Sequence, residues 1–542
     1  MPTWEEFLGR IIIFDGAMGT MLQAAGLDLG RCPELWNLER PEIIQDIHRA
    51  YVEAGAMVVE TNSFGGNTIK LKEYGLADKT QMINRKAAEL AKEAVGGKAL
   101  VAGSVGPTGL LMEPYGTATF DDLYTAFFEQ IRGLATGGAD LICIETMSDL
   151  GEMRAALIAA KAACKLPVIC TMTFEQGGST IMGISPETAA YVLASLGADA
   201  IGANCSTGPE ELLPVIKRMA QASSLPLIVQ PNAGLPVMRE GRVCYDQTPS
   251  SMAGFAPKFV EAGVQILGGC CGTTPEHIAA IARAASGLTP GIREIKAKTV
   301  LVGRRKPVII DESPVPVVIG SRTGSPFREN LTAASTLEQV EAVVRDASLQ
   351  VEAGAQIVDI NVLFGGKEEP ETMRQAVLQL QSTLDVPVAI DSANPEVVLA
   401  GLKTAKGKAL LSAVTGEESN LSQLLPLAKK YGAAVLATAV DSGVRAQNAA
   451  ADRTKIAEKI VQRAKGWGIN RSELIIDCLA GWFTRELPEK ELTEVNAFLK
   501  GQLGVKTCLR LPFSLQSSLP KIDEEFLHGL RRQGVDMILK EF

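Results

Sequence analysis

Apolar and polar positions in the first half of the chain fall into two alternating textures. Short β-branched runs, "IIIF" (11–14), "AMVVET" (56–61), "ALVAG" (99–103), "DLICIE" (140–145), "PVICTMTF" (167–174), "DAIGAN" (199–204), "PLIVQ" (226–230) and "VQILGG" (264–269), have the length of strands. Between them lie stretches with helical spacing, such as "PEIIQDIHRAYVEAG" (41–55) and "PETAAYVLASLG" (186–197). Both begin at a proline suited to a first helical turn and end at a glycine suited to the position after the last. The alternation predicts parallel strands joined by helices. Eight such units is the count of a (β/α)8 TIM barrel, which takes about 250 residues. A doubly wound sheet is the rival, and the lack of a switch-point fingerprint disfavours it.

After a polar, proline-bearing stretch from "GLTPGIREIKAKT" to "DESPVP" the pattern restarts. Eight further runs follow: "VPVVIG" (315–320), "QIVDIN" (356–361), "VPVAID" (386–391), "KALLSA" (408–413), "AAVLAT" (433–438), "ELIID" (473–477), "KTCLRL" (506–511) and "VDMILK" (535–540). The expectation is an α/β chain of two consecutive (β/α)8 TIM barrels, 1–287 and 316–542, with 288–315 as a linker. Only "EF" follows the last run, so the second barrel is expected to lack a closing helix of its own.

Composition narrows the function classes. The 542 residues are 46% hydrophobic and 21% charged, a globular balance suited to two large domains. A formal net charge of −9 argues against nucleic acid or an anionic membrane surface as partner. The start "MPTWEEFLGR" has no apolar signal region, and no apolar run is long enough to span a bilayer. Ten cysteines in that context read as thiols of a cytoplasmic protein rather than a disulfide framework. The three histidines, His48, His277 and His528, leave little room for imidazole chemistry, and His277, at a helix start, is read as structural.

Most cysteines are expected to be packing residues; three stand apart. Cys205 ends the sixth run, "AIGANCS", and Cys270 and Cys271 end the eighth, "ILGGCCG". Strand ends at the C-terminal side of such a barrel carry its chemistry, and strands six and eight flank the seventh. Adjacent cysteines rarely pair with each other, and successive strand residues face opposite ways. Gly268, Gly269 and Gly272 permit the backbone to leave extended geometry so that both thiols reach one point. Three thiolates and an open fourth position suit tetrahedral Zn2+, which takes sulfur at about 2.3 Å. Such an electron-rich site favours activating an incoming thiol for alkyl transfer over hydrolysing water. The plain alternative is a set of ordinary buried cysteines or a redox pair.

The segments "FDGAMGTML", "ETNSFGGN", "GSVGPTG", "IETMSD", "GANCSTGPEE", "QPNAGLP" and "GGCCGTTPEHI" resemble, in order, the homocysteine-binding barrel of cobalamin-dependent methionine synthases. Betaine–homocysteine methyltransferases belong to the same homocysteine S-methyltransferase superfamily. The resemblance covers residues 1–287. It implies that Cys205, Cys270 and Cys271 are zinc ligands and that homocysteine sulfur takes the open position. It also implies that Asp15, Gly16 and Glu145 hold the amino acid, the carboxylates facing its ammonium. Asn232 of "QPNAG" would fill the fourth zinc position when substrate is absent.

The second half resembles the pterin-binding barrel of the same enzymes and of methyltetrahydrofolate:corrinoid methyltransferases and dihydropteroate synthases. "VVIGSR", "GAQIVDIN", "VPVAIDSANPEVV", "LLSA" and "LIID" fall in the family's order, and Asp359, Asn361, Asp391 and Asp477 match positions that grip the pterin. Several family positions differ. "IGSR" has Ser321 where glutamate is usual, "LSA" has Leu411 where asparagine is usual, and "DC" has Cys478 where proline is usual. In "CLRLPFSLQ" Arg510 or Leu511 stands where an asparagine is expected near the pterin's methyl-bearing nitrogen. Each lost hydrogen bond costs about 0.5–1.5 kcal/mol, so methyltetrahydrofolate binding is expected to be weakened, with a different ligand or a scaffold role as alternatives.

No corrinoid-binding "DxHxxG" segment is present. The resulting expectation is a zinc-dependent homocysteine S-methyltransferase that forms methionine, taking the methyl group from methylcobalamin on a separate corrinoid protein or module. Two alternatives are a thiol methyltransferase using a small donor such as S-methylmethionine, and a non-catalytic docking subunit of a corrinoid methyl-transfer system.

Overall fold

The computed structural model describes residues 9–28, 30–239, 242–291, 293–321, 335–364, 369–441, 450–477, 489–511 and 524–541. The chain divides into two compact units, Met1–Ile295 and Lys296–Phe542. Each contains one eight-stranded parallel barrel, as the run pattern predicts.

The strands of the first unit are β1 (Ile12–Ile13), β2 (Val58–Glu60), β3 (Leu100–Val105), β4 (Leu141–Met147), β5 (Val168–Met172), β6 (Ala200–Asn204) and β7 (Leu227–Gln230), followed by β8 (Pro236–Arg239), β9 (Arg242–Tyr245) and β10 (Val264–Leu267). The barrel order is β1-β10-β7-β6-β5-β4-β3-β2, all parallel. It closes where Phe14 bridges Val58 and the Met57 N–H donates to the Ile13 carbonyl at 2.7 Å. Alternate residues fill the interior: Ile12 and Phe14, Leu100 and Ala102, Leu141 and Cys143, with Ile169, Ala200, Ile228 and Ile266. Cys143 is therefore a packing cysteine, and buried Cys170 on β5 is another. The helices expected from 41–55 and 186–197 are Pro41–Glu53 and Pro186–Ser195, each with proline in its first turn. Ser185 caps the second by accepting the Thr188 N–H.

An antiparallel hairpin, β8–β9, interrupts the unit after β7, pairing Pro236 with Tyr245. No run in the sequence reading marks it, because the pair is short and lies outside the barrel's periodicity.

In the second unit β11 (Val300–Val302) and β12 (Pro307–Ile309) form an antiparallel hairpin. The barrel follows as β13 (Val317–Ser321), β14 (Ile357–Ile360), β15 (Val388–Ile390), β16 (Leu410–Thr415), β17 (Ala434–Thr438), β18 (Leu474–Asp477), β19 (Lys506–Arg510) and β20 (Met537–Glu541). It is closed, with β20 paired to β13 from Val317–Met537 to Ser321–Glu541.

The hairpin changes the reading of 288–315 as a linker. Leu301 and Ile310 are fully buried, and with Val308 they pack against Val317, Ile357, Leu410, Ile475 and Met537 of the barrel. The segment floors the barrel at the end where its strands begin. The Val302 N–H donates to the Lys408 carbonyl at 3.0 Å, and the Arg305 guanidinium pairs with Asp385 at 3.1 Å. This stretch looks like a tether because 12 of its 28 residues are charged or proline, while Leu301, Val308 and Ile310 among its apolar residues form the plug. Among the described residues no helix is long and apolar enough to cross a membrane.

The plug depends on a close backbone approach. A Cβ on Gly407 would lie 1.9 Å from the Gly303 carbonyl oxygen and 2.1 Å from that of Val302. Neither obstacle is a movable side chain. Gly407→Ala is expected to destabilise the protein by about 3 kcal/mol, at or above the usual range for overpacking, read as a lowered midpoint in urea denaturation. An unchanged midpoint would mean the hairpin is not seated as described.

Candidate functional site

The C-terminal rim of the first barrel carries both groups of residues singled out by the sequence, the sulfurs and the acids. Cys205 follows directly on β6 in left-handed backbone (φ 62°), and so does Ser206 (φ 58°). Such a conformation costs a non-glycine residue about 1–3 kcal/mol and turns the thiol off the strand direction. It is held by main-chain bonds from Cys205 N to the Gln230 carbonyl at 3.1 Å and from Thr207 N to the Cys205 carbonyl at 2.7 Å.

Cys270 and Cys271 lie past the end of β10. The Cys270 N–H donates to the Pro231 carbonyl at 2.8 Å and the Ala233 N–H to the Cys271 carbonyl at 2.9 Å, so the loop after β7 and the loop after β10 are laced together. The three glycines act differently from one another. Gly272 has φ 79° and needs left-handed freedom. Gly268 and Gly269 supply room instead: a Cβ would meet Phe14 Cβ at 2.8 Å at the first and Thr273 Oγ1 at 2.5 Å at the second.

The three Sγ atoms all lie within 4.8 Å of one another, and Cys205 and Cys271 are 3.9 Å apart. Tetrahedral zinc with sulfur at about 2.3 Å requires S···S separations of about 3.8 Å, so the donor set fits such an ion. Without a cation the three thiols do not ionise alike. Hydrogen bonds from Cys205 and Cys270, and from the Tyr245 hydroxyl, bring Cys271 down to about 3. At Cys205 the bond with Cys270 acts downward, but the bond to Cys271, burial and the Cys271 charge outweigh it and leave the thiol at about 12. Cys270 is pushed well up by its bonds to Cys205 and Cys271 and by burial.

A cavity of about 240 Å³ opens beside these thiols, lined among others by Gly16, Glu60, Glu145, Cys205, Cys270 and Cys271. Glu145 sits at an irregularity where the β4–β5 register shifts between Ile144 and Met147, and Thr146 beside it has φ 61°. Its Oε1 accepts from Ser104 Oγ at 2.6 Å and its Oε2 from Asn204 Nδ2 at 3.3 Å. Asp15, 1% exposed, is not among the residues lining the cavity and accepts the Glu60 N–H at 3.0 Å. Burial raises all three acids. For Asp15 the Glu145 charge adds to it, for Glu145 the Glu60 charge, and for Glu60, brought to about 7, the Asp15 charge.

Asn232 is buried, and its Oδ1 has no hydrogen-bond partner. It is not among the residues lining the cavity. Glu60, Asn204, Gln230 and Tyr245 were not singled out by sequence. Glu60 stands inside "ETNSFGGN" and Asn204 beside Cys205, so a signal existed for both; nothing local marks Tyr245. His277 is structural, as expected: it completes the cap of helix Pro275–Ala285, and its Nε2 meets the Gln247 carbonyl at 3.0 Å.

In the second barrel, Asp359, Asn361 and Asp391 come together at the ends of β14 and β15. Asn361 Nδ2 donates to Asp391 Oδ2 at 3.1 Å. Asp359 accepts from Ser321 Oγ at 3.1 Å and from Ser412 Oγ at 3.0 Å, and burial with the Asp391 charge pushes its carboxyl well up. Ser321 thus supports Asp359 in place of the expected glutamate. Asp477, 3% exposed, ends β18, and its charge is felt at Cys508; the Arg510 charge reaches both Cys508 and Asp359. Leu411 is fully buried. Arg322 and Cys478, named in the sequence comparison with the family, lie outside the described residues.

Residues 12–285 match the family model "Homocysteine S-methyltransferase". The chain belongs to this family. Residues 322–510 match the model "Pterin binding enzyme". Among curated proteins, methionine synthase of Mycobacterium tuberculosis (strain ATCC 25618 / H37Rv) is 30% identical over 566 residues, covering 97% of this chain and 47% of that protein. Methionine synthase of Mycobacterium leprae (strain TN) is 30% identical over 576 residues, covering 98% and 47%. The chain therefore spans about half the length of these relatives. Among solved structures, the metallated homocysteine methyltransferase MmuM of Escherichia coli is 27% identical, with a TM-score of 0.44, covering 51% of this chain and 96% of that one.

The acid wall carries a stability cost that depends on pH. A carboxyl raised from 4.5 to about 7 on folding binds more protons in the folded state across that window, so its contribution falls as pH rises through 7. Glu60→Gln is expected to raise the metal-free protein's unfolding free energy at pH 8 by up to about 3 kcal/mol and to flatten its decline between pH 4.5 and 7. Urea denaturation at several pH values measures this; a variant less stable at pH 8 would contradict it.

Proposed function

We propose that the first barrel is a zinc-dependent homocysteine S-methyltransferase site that forms methionine. The observation carrying this reading is the meeting of three thiols within 4.8 Å on the wall of a cavity that Glu60 and Glu145 also line. Cys205, Cys270 and Cys271 would hold the zinc ion, which when bound lowers the pKa of an incoming thiol so that it is nucleophilic at neutral pH.

The remaining work falls to the chain's own residues. Glu145, fixed by Ser104 and Asn204, offers its carboxylate to the substrate ammonium, and Gly16, beside buried Asp15, lets the substrate approach the main chain closely. Holding both ends of a short amino acid aligns its sulfur in one direction, which is where orientation contributes to rate. Before substrate arrives, the unpaired Oδ1 of Asn232 is a donor for the fourth position.

The methyl donor is proposed to be methylcobalamin carried by a separate corrinoid protein or module, with the protein working in the cytoplasm. The second barrel's charging role is proposed in reduced form, since Asp359 and Asn361 already spend their hydrogen bonds on Ser321, Ser412 and Asp391. Binding of methyltetrahydrofolate to the full chain, measured calorimetrically, would restore the charging role.

The direct test supplies the zinc-loaded chain with homocysteine and either methylcobalamin or S-methylmethionine and measures methionine. Product from methylcobalamin supports this reading. Product from S-methylmethionine alone moves the donor to a small molecule, and a chain that neither binds zinc nor turns over is left as a docking subunit. Cys271→Ala is expected to lower bound zinc from one equivalent to near none and to abolish methyl transfer. The circular dichroism spectrum should be kept, because the ligands sit on loops rather than in the core.

A further inference from the structure

Cys205, Cys270 and Cys271 all line the cavity, so a methyl donor admitted there meets three sulfurs of the protein besides that of the substrate. On a shared zinc ion all of them are thiolates, and the thiolate is the form of sulfur that attacks carbon. Hydrogen bonds can tell such sulfurs apart, because a donor occupies a lone pair and draws charge from it. Cys205 has the N–H of Ser206. Asn204 Nδ2 approaches Cys270 Sγ at 3.9 Å, but it also reaches Thr146 Oγ1 at 2.8 Å and Glu145 Oε2 at 3.3 Å, three acceptors for two hydrogens. Cys271 has a hydroxyl donor, that of Tyr245.

The β8–β9 hairpin puts Tyr245 in this place. Tyr245 ends β9, paired with Pro236. Its ring packs against Gly272 so closely that a Cβ there would come within 2.3 Å of the ring's Cγ. The main chain on either side is fixed. The Ala233 N–H donates to the Cys271 carbonyl and the Gln247 N–H to the Ala233 carbonyl, both at 2.9 Å, and His277 Nε2 meets the Gln247 carbonyl at 3.0 Å. Tyr245 is not among the residues lining the cavity, so its hydroxyl is placed to act on the sulfur and not on the substrate. Covering Gly272 asks only for an aromatic ring, which phenylalanine would supply; the hydroxyl is the part that packing leaves unexplained. We propose that Tyr245 is a positioning residue whose hydroxyl, donating to Cys271 Sγ, makes that sulfur a poor methyl acceptor and so directs the methyl group to the substrate. The proposal rests on the reading of the three thiols as a zinc site.

The test treats zinc-loaded full chains, wild type and Tyr245→Phe, with iodomethane in the absence of homocysteine. Tandem mass spectrometry of the peptides follows methylation at Cys205, Cys270 and Cys271 separately. At each, a sulfur–carbon bond forms as the carbon–iodine bond breaks; iodide leaves and the thiolate becomes a neutral thioether. Tyr245→Phe keeps the ring against Gly272. It is expected to retain zinc and to methylate Cys271 about 10-fold faster than wild type, with the rates at Cys205 and Cys270 unchanged. Equal rates at Cys271 in the two chains overturn the proposal and leave the zinc reading standing. A rise shared by all three cysteines does the same, since it reports a loosened site rather than a bond to one sulfur. Loss of zinc from the variant also overturns it, by making Tyr245 a support for the metal instead. A wild-type chain that holds no zinc overturns the zinc reading and this proposal with it.

Discussion

Three sulfur atoms held within 4.8 Å of one another repel a second and third negative charge, and the first unit is organised around that constraint. Without a cation, two thiols and a tyrosine hydroxyl favour ionisation of Cys271 over that of its neighbours. Only a cation at the centre lets all three ionise together. Keeping the sulfurs in place against this repulsion needs a rigid frame, and the frame is main chain. The Pro231 and Gln230 carbonyls anchor Cys270 and Cys205, and the Cys271 carbonyl anchors Ala233. Loops of a (β/α)8 barrel are usually its variable part, whereas here the loops after β6, β7 and β10 are bonded to one another. That explains how three thiols from two distant stretches of sequence hold one geometry.

The cavity beside the sulfurs is also bordered by acids, with the same logic turned around. Asp15, Glu60 and Glu145 are buried close enough to raise one another, and the barrel accepts that unfavourable charge density at a rim where a cationic ligand would relieve it. Asn204 spans the two walls: its Nδ2 contacts Glu145 Oε2 at 3.3 Å and approaches Cys270 Sγ at 3.9 Å. A strand-end residue that touches both groups ties the position of the thiols to that of the acids. In the proposed reaction this fixes the distance between sulfur and ammonium, the dimension that distinguishes homocysteine from shorter amino-acid thiols.

The second barrel shows the reverse situation, a polar rim that has turned inward. Ser321 and Ser412 both donate to Asp359, and Asn361 donates to Asp391. The polar groups of this rim bond to one another, and the position where the family usually has asparagine, the second residue of β16, is apolar Leu411. Its foundation is nevertheless sound, because the β11–β12 hairpin fills the opposite end of the barrel with Leu301 and Ile310.

Much of this was legible in the amino-acid sequence because strand identity is a local property. Sixteen apolar runs mapped onto sixteen barrel strands, and the cysteine trio was visible since each member stands at the end of such a run. Asp359, Asn361 and Asp391 were legible for the same reason. What escaped depends on distance through space. The plug of Leu301 and Ile310 looked like a tether because burial is decided by the barrel it fills, and Tyr245 reaches the thiols from a hairpin that no periodicity announces. Sequence by itself determined which residues end the strands and therefore what chemistry the rim can hold; tertiary structure alone decided which of those side chains meet, since the hydrogen bonds that place them join strands far apart in the chain.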